Sequence, residues 1–292
     1  MLPSTFEYLK PHDLASTLDV LDQLKGKRIE VLAGGTDLIP MLRSGMRKPD
    51  YVIDLGDKGL DDLIFESDCV RIGALVTFTT LCEHPGIRKK LPAIAESAIE
   101  VGAIQCRNLA TIGGNVCNAV PSLDSGPPLL ALGASFRLQS KGKVRAVRSE
   151  EFFVGPRRTA LQPGEILTEI IVPLEEQFRA NFLRFGRRKA LTLSIVNGAV
   201  GLATNSNREI VNARIALGAV APTPIRAYQT EQFLQGRKVS SELLAQAASM
   251  AATDISPISD LRASAEYRRK LTTVLVGRAL ENVLRQGAEL RS

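Results

Sequence analysis

Two glycine pairs carry most of the chemistry that can be read from this sequence. The first stands in Val31-Leu32-Ala33-Gly34-Gly35-Thr36-Asp37-Leu38, between a β-like run and a helical one. Lacking side chains, Gly34 and Gly35 let the backbone turn sharply and come close to a ligand. The unpaired amides of a helix start, together with the Thr36 hydroxyl, then suit phosphate oxygens. The competing reading is a plain tight turn capped by Thr36 or Asp37. The second pair stands in Thr111-Ile112-Gly113-Gly114-Asn115-Val116-Cys117-Asn118-Ala119, followed by Pro121-Ser122-Leu123-Asp124-Ser125. It offers a hydroxyl and two carboxamides with almost no charge, and backbone amides with hydroxyls can hold a diphosphate without arginine. The competing reading here is a Gly/Asn loop joining two helices. Neither pair is followed by Gly-Lys-Ser/Thr and neither fits G-x-G-x-x-G, so a P-loop and an ordinary Rossmann site are not indicated.

Other chemistries are poorly provided for. Cys69, Cys82, Cys106 and Cys117 form no C-x-x-C pair, whereas a zinc or iron–sulfur site usually takes two thiolates from one short loop. The two histidines, His12 and His84, each adjoin a proline in turn-like surroundings, which leaves no basis for a Ser-His-Asp hydrolase. The net charge of +6 is spread through every segment, and aromatics make up only 5% with no Trp, so nucleic acid is not an expected partner. No stretch approaches the roughly 18 to 20 apolar residues of a membrane span. The first ten residues hold Pro3, Glu7 and Lys10 rather than a signal-peptide pattern. A cytoplasmic location is expected.

The elements that must position these glycines follow from periodicity. Leu14, Leu18, Leu21 and Leu24 recur at helical spacing, with His12 or Asp13 placed to cap them. Residues 28–32 and 51–55 read as strands and residues 38–42 as a short helix, which suits a βαβ unit with a parallel strand pair. Strands follow at 70–74, 135–138, 143–147 and 167–172. Helices are expected at 77–83, at 87–101 with a break at Pro92, and at 128–132; residues 105–125 read as a glycine-rich, weakly charged loop. Beyond a polar connection at 173–179 come three β-like runs (181–185, 193–203, 210–220) and three helices (229–234, 240–252, 265–286), the pattern of a small α+β domain.

Taken together, the first glycine run, Thr111-Ile112-Gly113-Gly114-Asn115 and Asp124 resemble the FAD-binding medium subunit of molybdenum hydroxylases, the xanthine dehydrogenase, carbon monoxide dehydrogenase and aldehyde oxidoreductase family. The likeness continues through Arg157-Arg158-Thr159, Pro163-Gly164-Glu165-Ile166-Leu167, Arg184-Phe185-Gly186-Arg187-Arg188, Ala221-Pro222-Thr223-Pro224-Ile225-Arg226 and Glu266-Tyr267-Arg268-Arg269, so it covers nearly the whole chain. It implies an α+β fold of vanillyl-alcohol-oxidase (PCMH) type. Two α/β FAD-binding subdomains, 1–57 and 58–176, would precede a C-terminal α+β domain, 177–292, of antiparallel sheet plus helices. By the same resemblance, FAD contacts fall to Val31, Leu32, Ala33, Gly34, Gly35, Thr36, Asp37 and Leu38, to Thr111, Ile112, Gly113, Gly114 and Asn115, and to Gly102, Asp124, Leu167 and Arg184. The chain would hold no catalytic base and no metal. It would pass electrons from the [2Fe–2S] clusters of a small subunit, filled by a molybdopterin large subunit, to NAD, oxygen or a quinone, within a dimer of heterotrimers. The family's extra iron–sulfur loop has no Cys-rich counterpart here. Arg187-Arg188-Lys189 matches a loop near the flavin. A stand-alone flavin-dependent reductase of the same fold is the alternative reading. That division of labour suits a chain poor in histidine, because a flavin performs the redox chemistry and the protein supplies position and electrostatics.

Overall fold

The computed structural model describes residues 5–56 and 58–289, with side chains as far as residue 286. Three main sheets follow one another along the chain, with a two-stranded ribbon of Phe153–Gly155 and Arg158–Thr159 beside them. The first is parallel, with Tyr51–Asp54 at its centre between Glu7–Leu9 and Ile29–Leu32. The strand at Glu7–Leu9 was not expected from the sequence, since three residues show no periodicity. The Leu14–Gln23 helix is capped by Asp13, which exchanges hydrogen bonds with Ser16 in a capping box. Leu18 and Leu21 on that helix pack with Ile53 and Leu55 of the central strand.

The second sheet runs Leu63–Phe65, Cys69–Gly73, Ile166–Pro173, Ser135–Ser140, Lys143–Arg148, antiparallel throughout. Its core holds Phe136 edge-on to Phe152, with ring centroids 4.6 Å apart. The break expected at Pro92 is present: Pro92 starts a new helix, Pro92–Ile99, after Pro85–Lys90, because a proline at the first helical position lacks only an amide that has no helical partner. One expectation is corrected: residues 105–125 are not loop throughout. They contain the helices Ile104–Arg107 and Ile112–Asn118, with irregular chain at 108–111 and 119–125 before the Gly126–Ala131 helix.

The third sheet, Arg179–Gly186, Ser194–Thr204, Ile210–Gly218 and Ile225–Arg226, is antiparallel. All but the last residue of Ser194–Thr204 are buried, because both faces of the sheet are covered. Ala180, Phe182, Ala199 and Ala203 join the core of the preceding sheet, whereas Val200, Leu202 and Ile215 pack with Leu275, Val276 and Leu280 of the Ala265–Glu289 helix. The two halves of the chain are thereby fused through one shared sheet. Among the described residues no helix is long and apolar enough to cross a membrane.

Candidate FAD-binding site

Both glycine pairs lie at one place, brought together by backbone-to-backbone packing. A Cβ on Gly34 would stand 1.7 Å from the Leu109 carbonyl oxygen, so only glycine lets the first loop seat against the segment leading into the second pair. Gly35 turns the chain with φ +71°. A Cβ on Gly114 would lie 3.9 Å from the Ala33 Cβ, which makes those two residues neighbours across the seam. Asn118 Nδ2 then donates to Asp37 Oδ2 at 2.8 Å, joining the far ends of the two segments.

Their hydrogen-bonding states are opposite. In the first loop, the amides of residues 33–38 donate to nothing among the described residues. Six adjacent open donors on a half-buried turn are a fitting seat for the diphosphate of a dinucleotide. In the second segment the amides of Ile112, Gly113, Gly114 and Asn115 are all engaged. Ile112 N donates to Val76 O at 3.0 Å, Gly113 N to Ala74 O at 2.9 Å, and Asn115 N to Thr111 O at 3.0 Å. The Thr111 hydroxyl caps the helix by accepting from Gly114 N at 3.2 Å. This pair therefore offers a flat, neutral helix face, with Gly114 exposed, rather than a cradle of free amides. Burial pushes the Cys117 thiol in the same helix up to about 12, so it is no nucleophile near neutral pH.

Asn115 connects this cluster to a second one, because its Oδ1 accepts from Ser125 Oγ at 2.6 Å. Beside Ser125, Asp124 is buried and held across the seam between the halves. Its Oδ1 accepts from Ser194 Oγ and Asn197 Nδ2, both at 2.6 Å, and its Oδ2 faces Arg184 Nη1 at 3.2 Å. Burial pushes the Asp124 carboxyl above the usual range, opposed by the Arg184 charge and by those two hydrogen bonds. The Arg184 guanidinium is itself saturated, donating to Glu100 O at 2.6 Å and Thr192 O at 2.9 Å and pairing with the Glu100 carboxylate at 3.3 Å. Gly102 (φ +54°) accepts from Leu191 N at 3.1 Å, so the segment after Arg184 is tied to the same region.

Leu167 sits apart from both clusters. Its side chain is buried in the core of the five-stranded sheet, and the neighbouring Thr168 O accepts from Ala74 N behind the Gly113 helix. Asn118 was read as a carboxamide of the second segment but not as the partner of Asp37, and Ser194, Asn197 and Glu100 escaped the sequence reading of the site altogether. Asn118 lies three residues after Asn115 on one helix, a spacing that places both carboxamides on neighbouring positions. The other three had no local signal. Two open concavities of about 520 and 480 Å³ are also present; the first is lined by Glu100 and Arg184 of the second cluster together with Glu96 and Asn181, and the second lies beside Arg208, Ser240 and Glu242.

Three sheets in this order, with a glycine turn of open amides docked on a neutral helix, define an α+β dinucleotide-binding chain. The family described as the FAD binding domain in molybdopterin dehydrogenase matches residues 4–175, and the carbon monoxide dehydrogenase flavoprotein C-terminal domain matches residues 181–283. The glyceraldehyde dehydrogenase medium chain of Sulfolobus acidocaldarius is 32% identical over 286 residues, covering 97% of this chain and all of that one. The carbon monoxide dehydrogenase medium chain of Afipia carboxidovorans is 33% identical, covering 96% and 97% of the two chains. Among solved structures, a carbon monoxide dehydrogenase from Hydrogenophaga pseudoflava, which lacks the Mo-pyranopterin moiety of its molybdenum cofactor, superposes with TM-score 0.92. It shares 31% identity and covers 97% of this chain and 99% of that one. The chain belongs to the family of FAD-binding medium subunits of molybdenum hydroxylases. It is an oxidoreductase component and a flavoprotein.

Proposed function

We propose that the open amides of residues 33–38 seat the FAD diphosphate, and that this chain is the electron-transfer subunit of a three-subunit molybdenum hydroxylase. Val31, Leu32, Ala33, Gly34, Gly35, Thr36, Asp37 and Leu38 form the seat. Thr111, Ile112, Gly113, Gly114 and Asn115 form the facing wall, Gly102, Asp124 and Arg184 shape the walls further along, and Leu167 backs them from the core of the five-stranded sheet. The observation that carries this reading is the row of six unengaged amides packed against an exposed Gly114. FAD, when bound, supplies the exchange of electrons, for which no protein side chain is suited. The protein's part is to hold the diphosphate by donors fixed in the fold and to screen the cofactor with buried, already satisfied groups such as the Asp124–Arg184 pair.

In this reading the chain divides into FAD-binding subdomains 1–57 and 58–176 and a C-terminal domain 177–292. It receives electrons from [2Fe–2S] clusters of a small partner subunit, supplied by a molybdopterin large subunit, and delivers them to NAD, oxygen or a quinone. The assembly is a dimer of heterotrimers. Full-length similarity to medium chains favours a subunit over the stand-alone reductase.

Purified chain is expected to carry bands near about 375 and 450 nm, typical of flavins. Gly35→Val is expected to lose them, because the turn at φ +71° opposes any side chain and the seat would distort. A Gly35→Val chain that stays as yellow as the unaltered one would sink the seat. Co-expression with the small and large subunits, followed by light scattering, tests the assembly. Bleaching of the 450 nm band by NADH tests NAD as the acceptor, and no bleaching leaves oxygen or a quinone.

A further inference from the structure

Asp37 stands immediately before the Leu38–Arg43 helix, where a carboxylate ordinarily turns back to accept from the amides of the first turn. It does not do so here. Its side chain makes no capping hydrogen bond, and Oδ2 accepts instead from Asn118 Nδ2 at 2.8 Å. The sense of the Asn118 carboxamide is fixed from its other side, because Asn118 Oδ1 accepts from Arg157 Nη1 at 2.9 Å and a guanidinium can only donate. Arg157 in turn has φ +56°, a backbone conformation that side chains rarely adopt, and its amide donates to Ala119 O at 2.8 Å. Two residues outside the row of open amides thus decide where the Asp37 carboxylate points.

We propose that Asn118, backed by Arg157, is a positioning residue for FAD: it draws the Asp37 carboxylate away from the amides of the glycine turn and keeps them open for the cofactor's diphosphate. A carboxylate and a diphosphate are both anions seeking the same donors, so a released Asp37 would act as a built-in competitor. The inference rests on the reading of residues 33–38 as the diphosphate seat.

The test is an FAD titration of the full-length chain, stripped of flavin and followed by quenching of flavin fluorescence. Asn118→Ala frees Asp37 to cap its own helix and is expected to raise the FAD dissociation constant about tenfold, the scale of one capping hydrogen bond. Adding Asp37→Ala to that variant removes the competitor and is expected to restore affinity to within about threefold of the unaltered chain. A merely structural role for Asn118 would leave the double variant as weak as the single one. That result, or unchanged affinity in Asn118→Ala, overturns the proposal. Gly35→Val, measured alongside, separates the two readings. If Gly35→Val loses flavin while Asn118→Ala binds normally, only the positioning role fails. If Gly35→Val binds normally as well, the seat itself fails.

Discussion

The two glycine pairs are nearly matched in composition and opposite in state. In residues 33–38 the amides have no partner among the described residues, whereas those of Ile112, Gly113, Gly114 and Asn115 are all engaged within the fold. The difference comes from what stands behind each. The first turn leaves the edge of a parallel sheet with no strand beyond it, while the second is stitched to Ala74 and Val76 at the end of the five-stranded sheet. A glycine pair is therefore not one signal. It can free donors for a ligand, or let two backbones close on each other, and Gly34 beside Leu109 shows the second use within the motif that performs the first.

Substitutions can break or sharpen this contrast. The largest effect is expected from Gly34→Val, whose Cβ would overlap the Leu109 carbonyl. More than about 3 kcal/mol of stability should be lost together with the flavin, as read by urea unfolding and by absorbance. Asp260→Asn serves as a control remote from both pairs. Burial opposes ionisation of Asp260, yet hydrogen bonds from Arg262, from the amides of Arg262 and Ala263, and from the buried Arg268 hold its carboxyl well below the usual range. A lowered folded value means this contribution is complete above about pH 4 and fades as pH falls further, so unfolding at pH 7 and pH 3 should converge in the variant. Its cost at pH 7 should be about 3 kcal/mol, with flavin affinity unaltered.

Gly114→Val should do the reverse. Gly114 is exposed, and a Cβ there would crowd only the capping Thr111 Oγ1, at 2.9 Å, so stability should fall by no more than the roughly 1 to 2 kcal/mol of a helix cap. FAD affinity should fall by about 100-fold or more if the cofactor lies on that face. Unchanged binding in Gly114→Val would remove the second segment from the site and leave the first to hold the diphosphate alone. The smallest effect is expected from Asn115→Ala, which removes the 2.6 Å bond from Ser125 and should cost about 1 kcal/mol.

Much of the frame was legible in the sequence because it is local. The Leu14, Leu18 and Leu21 stripe, the parallel pairing of residues 29–32 with 51–54, and the three long strands of the C-terminal half all follow from periodicity and turn residues. The region around Gly113 was misread as a loop because glycine and asparagine are poor helix formers. Capping by Thr111 and two sheet-edge acceptors some forty residues earlier override that preference. The residues of the two turns could be picked out, but not which turn keeps its amides open, since that depends on Ala74, Val76 and Asn118. Asp124 and Arg184 were picked out through family resemblance. Their mutual contact, and the roles of Ser194 and Asn197, depend on chain segments 60 to 73 residues apart meeting at one seam.

That seam limits how the molecule can flex. Opening the halves like a clamshell would strip Asp124 of three donors and expose the apolar face shared by Phe182, Ala199 and Ala203. The halves are therefore bound to each other through buried contacts, and in the reading proposed above the dinucleotide meets a seat that is already formed. Saturation with cofactor should accordingly stiffen the Gly35 turn and leave hydrogen exchange along Ser194–Thr204 as slow as it already is.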